Sequence, residues 1–209
     1  MKHLNQPGLK KQEFMKNRFQ NVLTGQYIIL RKAEEKDAAD MYQWRSGYAG
    51  RYMRVYPDFS IENQKKWIRS RGEDEINYVI LDKNTEKSVG AISILNVNDA
   101  DKVISVGRLL LDDQFLTQSK PYGLEALLLT YDYALNVMDF RKITGEILEA
   151  NEAMVKLQKF LGMKQEGLLE KHVWIKGKYE NICIMSIFKE QFNSIYKKKI
   201  AFLLKSFKV

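Results

Sequence analysis

Cysteine is nearly absent. Cys183 is the single one in 209 residues, so no intrachain disulfide can form and no cysteine-rich metal site exists. It reads as a small buried hydrophobe in a strand. Histidine is almost as scarce, with only His3 and His172. That argues against a protein zinc site, and no metal is expected. Three prolines are too few for a disordered chain of this length when 45% of residues are hydrophobic. No apolar run approaches the length of a membrane span. The opening residues, MKHLNQPGLKKQEFMKNRF, lack the apolar core of a signal peptide. The expectation is a soluble, cytoplasmic protein with one sizeable core.

Charge is not scarce. The formal net charge is +8, which favours anionic partners. No nucleic-acid reader motif accompanies it, so no nucleic-acid partner is expected. Much of the excess lies at the two ends. Residues 1–22 are basic and polar, with Pro7-Gly8 breaking any early helix, and read as an N-terminal extension. In residues 191–209, Phe192, Ile195, Tyr196, Ile200, Leu203, Leu204 and Phe207 recur at three- and four-residue steps among lysines. That is a basic amphipathic helix. Its apolar face would dock on its own domain or on a second copy in a homodimer. The other reading is a membrane-surface anchor.

Between these ends, residues 23–190 read as one α/β domain. Strands are expected at 27–32, 77–82, 87–96, 103–111, 142–148, 164–174 and 178–189. A helix is expected over 34–44, and Ser60 is placed to cap another over 61–70. The organising stretch runs from Val106 to Gly162. A near-continuous apolar strand ends at Leu111, and Pro121 opens a helix after a polar loop. In that helix Leu124, Leu127, Leu128, Tyr131, Ala134 and Leu135 share a face, with Glu125 on another. A loop feeding a helix N-terminus collects free N–H groups and suits phosphate.

This stretch resembles the GNAT (Gcn5-related) N-acetyltransferases, and the branches that acetylate ribosomal-protein N-termini and nucleotide-linked aminosugars. The family's pyrophosphate loop, Q/R-x-x-G-x-G/A, is similar to Gln118-Ser119-Lys120-Pro121-Tyr122-Gly123, leading into Leu124. Its later N-x-A and G-F elements match Asn151-Glu152-Ala153 and Gly162-Met163. The resemblance covers roughly residues 24–189. It implies a central mixed twisted sheet of about seven strands flanked by about four helices. It also implies acetyl-CoA as co-substrate. The pantetheine arm would lie along Leu109, Leu110 and Leu111, where a backbone N–H near Leu111 would polarise the thioester. The pyrophosphate would sit on Gln118, Ser119, Lys120, Tyr122, Gly123 and Leu124, with Asn151 meeting the arm. Two residues depart from the pattern. Pro121 removes one loop N–H. Gln158 stands where many members carry a tyrosine that protonates the leaving thiolate, and an amide cannot do that.

Several of these residues have structural readings too. Asn151 can cap its own helix, Gly123 can allow close packing, and Lys120 can be a solvated charge. Asp112, Asp113 and Glu149 are the carboxylates near the strand ends, but each reads as a loop charge, so no catalytic residue is assigned. On the acceptor side, Trp44-Arg45, Arg51-Tyr52-Met53, Ile61, Gln64 and Trp67 look like the pattern of GNAT enzymes acting on nucleotide-linked deoxyaminosugars. Ser46 departs from it. The resemblance implies that Trp44, Arg45 and Met53 bind the acceptor, although Trp44 and Trp67 also suit core anchors. The expected activity is acetyl transfer to a small-molecule amine. A protein N-terminus and a polyamine remain as acceptors, and a non-catalytic acyl-CoA-binding module as a different class.

Overall fold

The computed structural model describes residues 18–54, 58–72, 74–116 and 120–207. Eight strands make one sheet: β1 Val22–Thr24, β2 Ile28–Lys32, β3 Ile76–Asp82, β4 Ser88–Asn98, β5 Val103–Leu111, β6 Lys142–Leu148, β7 Lys164–Ile175 and β8 Lys178–Phe188. Their order is β1-β2-β3-β4-β5-β6-β8-β7. All neighbours are antiparallel except β5 and β6. A parallel pair needs a crossover, and the helix that opens at residue 122 supplies it. Seven strands fall where periodicity places them. The eighth, β1, starts at Val22, the last residue expected in the N-terminal extension. It is three residues long and too short to show a period.

The sheet is covered on both faces because its strands alternate. On β3, Tyr78 and Ile80 face one cluster, and Val79 and Leu81 face the other. On the second face lie α1 (Ala38–Ser46), preceded by a 3-10 turn, and α2 (Ile61–Arg69). Ser60 caps α2 as expected, accepting the Asn63 amide at 3.2 Å. The first face carries α3 (Tyr122–Asp132), which runs on through a π turn, Tyr133–Val137. Against it lies the C-terminal helix. That helix begins at Lys189–Gln191, passes through a π turn at Phe192–Tyr196 and ends as α5, Lys197–Ser206. Phe192, Tyr196, Ile200 and Leu204 are buried in the main core with Tyr131 and Leu135. The amphipathic tail is therefore docked on its own domain. Between β6 and β7 runs α4, Glu152–Leu161. Gly162 closes it in the left-handed region (φ 115°), as a C-cap glycine does.

Candidate active site

The site begins where two strands part. β5 and β6 pair only at Val103↔Lys142, Ile104↔Ile143 and Ser105↔Thr144. Beyond Ser105 that edge of β5 has no strand beside it, and a cleft of ≈ 590 Å³ opens there. A bulge re-aims the open edge. Ala91 faces Leu110 but Ser93 faces Gly107, so Arg108 and Leu109 together stand opposite Ile92. Arg108 adopts a φ of 55°, uncommon for a residue with a Cβ. Its guanidinium is held by Glu75 at 3.0 Å and Asn77 at 3.2 Å, and lies over the Trp67 ring. Burial works to raise the Glu75 pKa, but the bonds from Arg108 and Asn77 outweigh it and keep the carboxyl below its ordinary range. The bulge shifts the β4–β5 register at Arg108 and Leu109, and pairing with β4 continues at Leu110 and Leu111, where the expected N–H lies. Leu109 lines the cleft, whereas Leu110 is buried under α1 and Leu111 packs on the main core.

The helix N-terminus stands at the same end of β5. Pro121 occupies the N-cap, one position before the expected first turn, and offers no side-chain cap. The first intrahelical bond runs from the Glu125 amide to the Pro121 carbonyl at 3.0 Å. The amides of Tyr122, Gly123 and Leu124 thus sit at the positions a helix cannot satisfy internally. The side chains around them are occupied otherwise. Lys120 Nζ and the Tyr122 hydroxyl both donate to Asp82 Oδ2, at 2.5 and 2.7 Å. Tyr122 is buried, so only its backbone can meet a ligand. Glu125, expected off the apolar face, is 3% exposed and ties α3 to the turn before β2. A Cβ on Gly123 would stand 3.5 Å from Leu111 Cδ1, an ordinary contact, so packing does not require glycine there. Gln118 and Ser119 lie outside the described residues.

The wall between α3 and α4 is lined by Leu127, Tyr131, Asn151, Met154, Gln158 and Met163. Asn151 does cap its helix, accepting the Met154 amide at 3.3 Å, and borders the cleft as well. Burial pushes the phenols of Tyr131 and Tyr196 well above their usual range, so both stay protonated at neutral pH.

On the other side, Arg45, Tyr52, Met53 and Arg54 line the cleft. Trp44 does not. It is 3% exposed, packs with Met41, Val79 and Leu110, and donates from Nε1 to Asp112 at 3.1 Å. It is a core anchor rather than an acceptor contact, because the helix pair needs an apolar face against the sheet. A second hollow of ≈ 210 Å³ lies beside the cleft, lined by Arg45, Asp58, Phe59, Asn63, Gln64 and Trp67. The three strand-end carboxylates have structural partners. Asp112 holds Trp44, Asp113 accepts the Tyr48 amide, and Glu149 accepts from Asn181. The carboxylate that lines the cleft is instead Glu146 on β6. Arg108 and Glu146 carried no sequence signal, because nothing local marks a strand residue beside a splay, and Arg54 lies in the irregular loop after Tyr52.

The Acetyltransferase (GNAT) domain family matches residues 28–164. The chain belongs to the GNAT acetyltransferase family. Among its relatives, an uncharacterised protein of Methanocaldococcus jannaschii is 27% identical over 71% of this chain, a match spanning 30% of that relative's length. An uncharacterised N-acetyltransferase, p20 from Bacillus licheniformis, is 22% identical over 79% of this chain and 94% of its own. The solved structure of a GCN5-related N-acetyltransferase from Brucella melitensis superposes with a TM-score of 0.75. It is 18% identical, over 90% of this chain and 87% of that one, so it speaks for the fold. This GNAT enzyme therefore has the family's mixed sheet, with its C-terminal helix lying outside the matched residues. Among the described residues no helix is long and apolar enough to cross a membrane.

Proposed function

We propose that this acetyltransferase takes acetyl-CoA as donor and acylates a primary amine on a small anionic molecule, such as a nucleotide-linked aminosugar. The donor side fits three features of the site. The free amides of Tyr122, Gly123 and Leu124, at the positive end of the α3 dipole, suit a diphosphate. The unpaired edge of β5 at Leu109 to Leu111 suits an arm that carries its own amides. Asn151 borders that path. Bound acetyl-CoA would supply the activated acyl carbon, and the chain would orient it and exclude water.

The observation that carries the acceptor class is Arg45, which lines both the cleft and the adjoining hollow. An acceptor can reach the splay with its amine, meet Arg45 with a phosphate, and place its remote part between Phe59 and Trp67. Met53 lines the same approach. Among the described residues the cleft lining carries Arg45, Arg54 and Arg108 against one carboxylate, Glu146. That balance disfavours a polycationic acceptor. The attack needs a neutral amine, and Glu146 is the carboxylate nearest to hand in the cleft lining.

The test is thiol release from acetyl-CoA by the purified protein across a panel of nucleotide-linked aminosugars, N-terminal peptides and polyamines. Amine-dependent release, fastest with the aminosugars, is expected. Binding of acetyl-CoA without release on any amine would instead support an acyl-CoA-binding module.

A further inference from the structure

The C-terminal helix gives one side to the core and the other to solvent. Phe192, Tyr196, Ile200 and Leu204 are buried. On the outer side Phe202 is 74% exposed and Ile195 42%. A third apolar side chain joins them from α4, where Phe160 is 56% exposed. The three lie close together. A Cβ on Gly162, just after Phe160 in the chain, would stand 3.4 Å from Ile195 Cγ2. Lys199 donates to the Phe160 carbonyl, and its ammonium lies 4.8 Å from the centre of that ring. Phe202 stands one turn beyond Lys199 on the same helix. The rim is basic. Lys159, Lys198 and Lys205 are exposed and form no ion pair among the described residues. From residue 191 to 209 the sequence has no acidic side chain. None of these residues lines the cleft or the hollow, so the patch is an outward helix surface rather than a groove.

We propose that this face seats the enzyme on an anionic lipid surface. Phe160, Ile195 and Phe202 enter the headgroup layer, and the lysines meet lipid phosphates. Charge and apolar area together select this occupant. A second copy packed about a two-fold axis would set these lysines against the same lysines. A nucleic acid would engage the lysines and leave the three apolar side chains in water. An anionic bilayer satisfies both kinds of group. The apolar side of the tail is already committed to the core, so the seat uses the opposite side of the helix. It also leaves the site open, because α4 turns Met154 and Gln158 to the cleft and Phe160 to solvent.

The test is co-sedimentation of the full chain with vesicles of phosphatidylcholine alone and of phosphatidylcholine with phosphatidylglycerol in equal parts. The wild type is expected to bind the anionic vesicles at least about tenfold more tightly, and added salt should weaken the binding. Lys198→Gln with Lys205→Gln should lower the affinity at least about tenfold. Phe160→Ser with Phe202→Ser keeps every lysine and should lower it at least about fivefold. Melting temperatures confirm that both variants fold. No binding by the wild type to anionic vesicles overturns the proposal. So does binding that survives the two serine substitutions, which would show charge attraction without a seat. Sedimentation equilibrium covers the remaining occupant. A wild-type dimer that Phe202→Ser dissolves would assign the patch to a second copy and overturn the proposal as well.

Discussion

The Glu125 carboxylate accepts the Tyr27 amide at 2.7 Å, across 98 residues of chain. The same carboxylate takes the Gln26 amide at 2.6 Å and the Ile28 amide at 3.0 Å. Three backbone donors of the β1–β2 turn are thus satisfied by one side chain in the first turn of α3. The fit is close, since a Cβ on Gly25 would stand 2.6 Å from Glu125 Cδ. Glu125→Ala would leave one buried and two part-buried amides without their acceptor and should cost about 2–4 kcal/mol. Glu125→Gln keeps one acceptor oxygen and should cost about 1.5–3 kcal/mol. Urea denaturation midpoints at a common m-value check both.

Acid should loosen the corner around Asp82. Burial works to raise its pKa, but Lys120, Tyr122 and Thr85 outweigh that and hold it far below the carboxylate range. A folded-state pKa that is depressed gives stability that is complete above the unfolded value, near pH 4. It is lost as the pH falls through the folded value. The melting temperature should therefore drop on acidification below about pH 4. Asp82→Asn should flatten that slope and cost about 2–4 kcal/mol at pH 7. Lys120→Met should cost only about 1 kcal/mol, because the ammonium is partly exposed.

Gly123 separates packing from ligand binding. An added methyl makes ordinary contacts at 3.5 and 3.7 Å, and alanine is the better helix former by up to about 1 kcal/mol. Gly123→Ala should leave the melting temperature unchanged or raised. If the diphosphate sits against this turn, acetyl-CoA affinity should fall at least about tenfold, since the added methyl would hold the anion away from the turn's amides. Calorimetric titration reads the affinity directly.

Removing the C-terminal helix should abolish the folded state. Phe192, Tyr196 and Ile200 are fully buried in the main core, and Leu204 nearly so. At roughly 1.5–3 kcal/mol for each buried apolar side chain, the loss rivals the stability of a typical domain. A chain ending at Lys189 should show no cooperative thermal transition by circular dichroism. Phe202→Ser, on the exposed side of the same helix, should change stability by under about 0.5 kcal/mol.

Local pattern made most of the fold legible. Apolar runs bounded by Asn98-Asp99-Ala100-Asp101 or Lys176-Gly177 set the strands, and Ser60, Asn151 and Gly162 set helix ends. Each of these signals acts within a few residues, where spacing alone fixes which groups meet. The candidate site was legible only in part. The family pattern drew attention to Leu109, Gly123, Asn151, Arg45 and Met53, and placed Gln158 as a departure. It did not show that Trp44 is buried or that Tyr122 and Lys120 are bound to Asp82.

The sequence by itself determined the family, seven of the eight strands in order, and the apolar face of the tail, because periodicity and chain order are properties of neighbouring residues. The tertiary structure decided which polar groups satisfy each other. Glu125 with the β1–β2 turn, Arg108 with Glu75 at the bulge, and Tyr196 with Gln158 join residues far apart in the chain. Such pairs form because a buried donor or acceptor must find a partner. Which partner it finds depends on how the sheet brings distant elements together, and no local pattern carries that information.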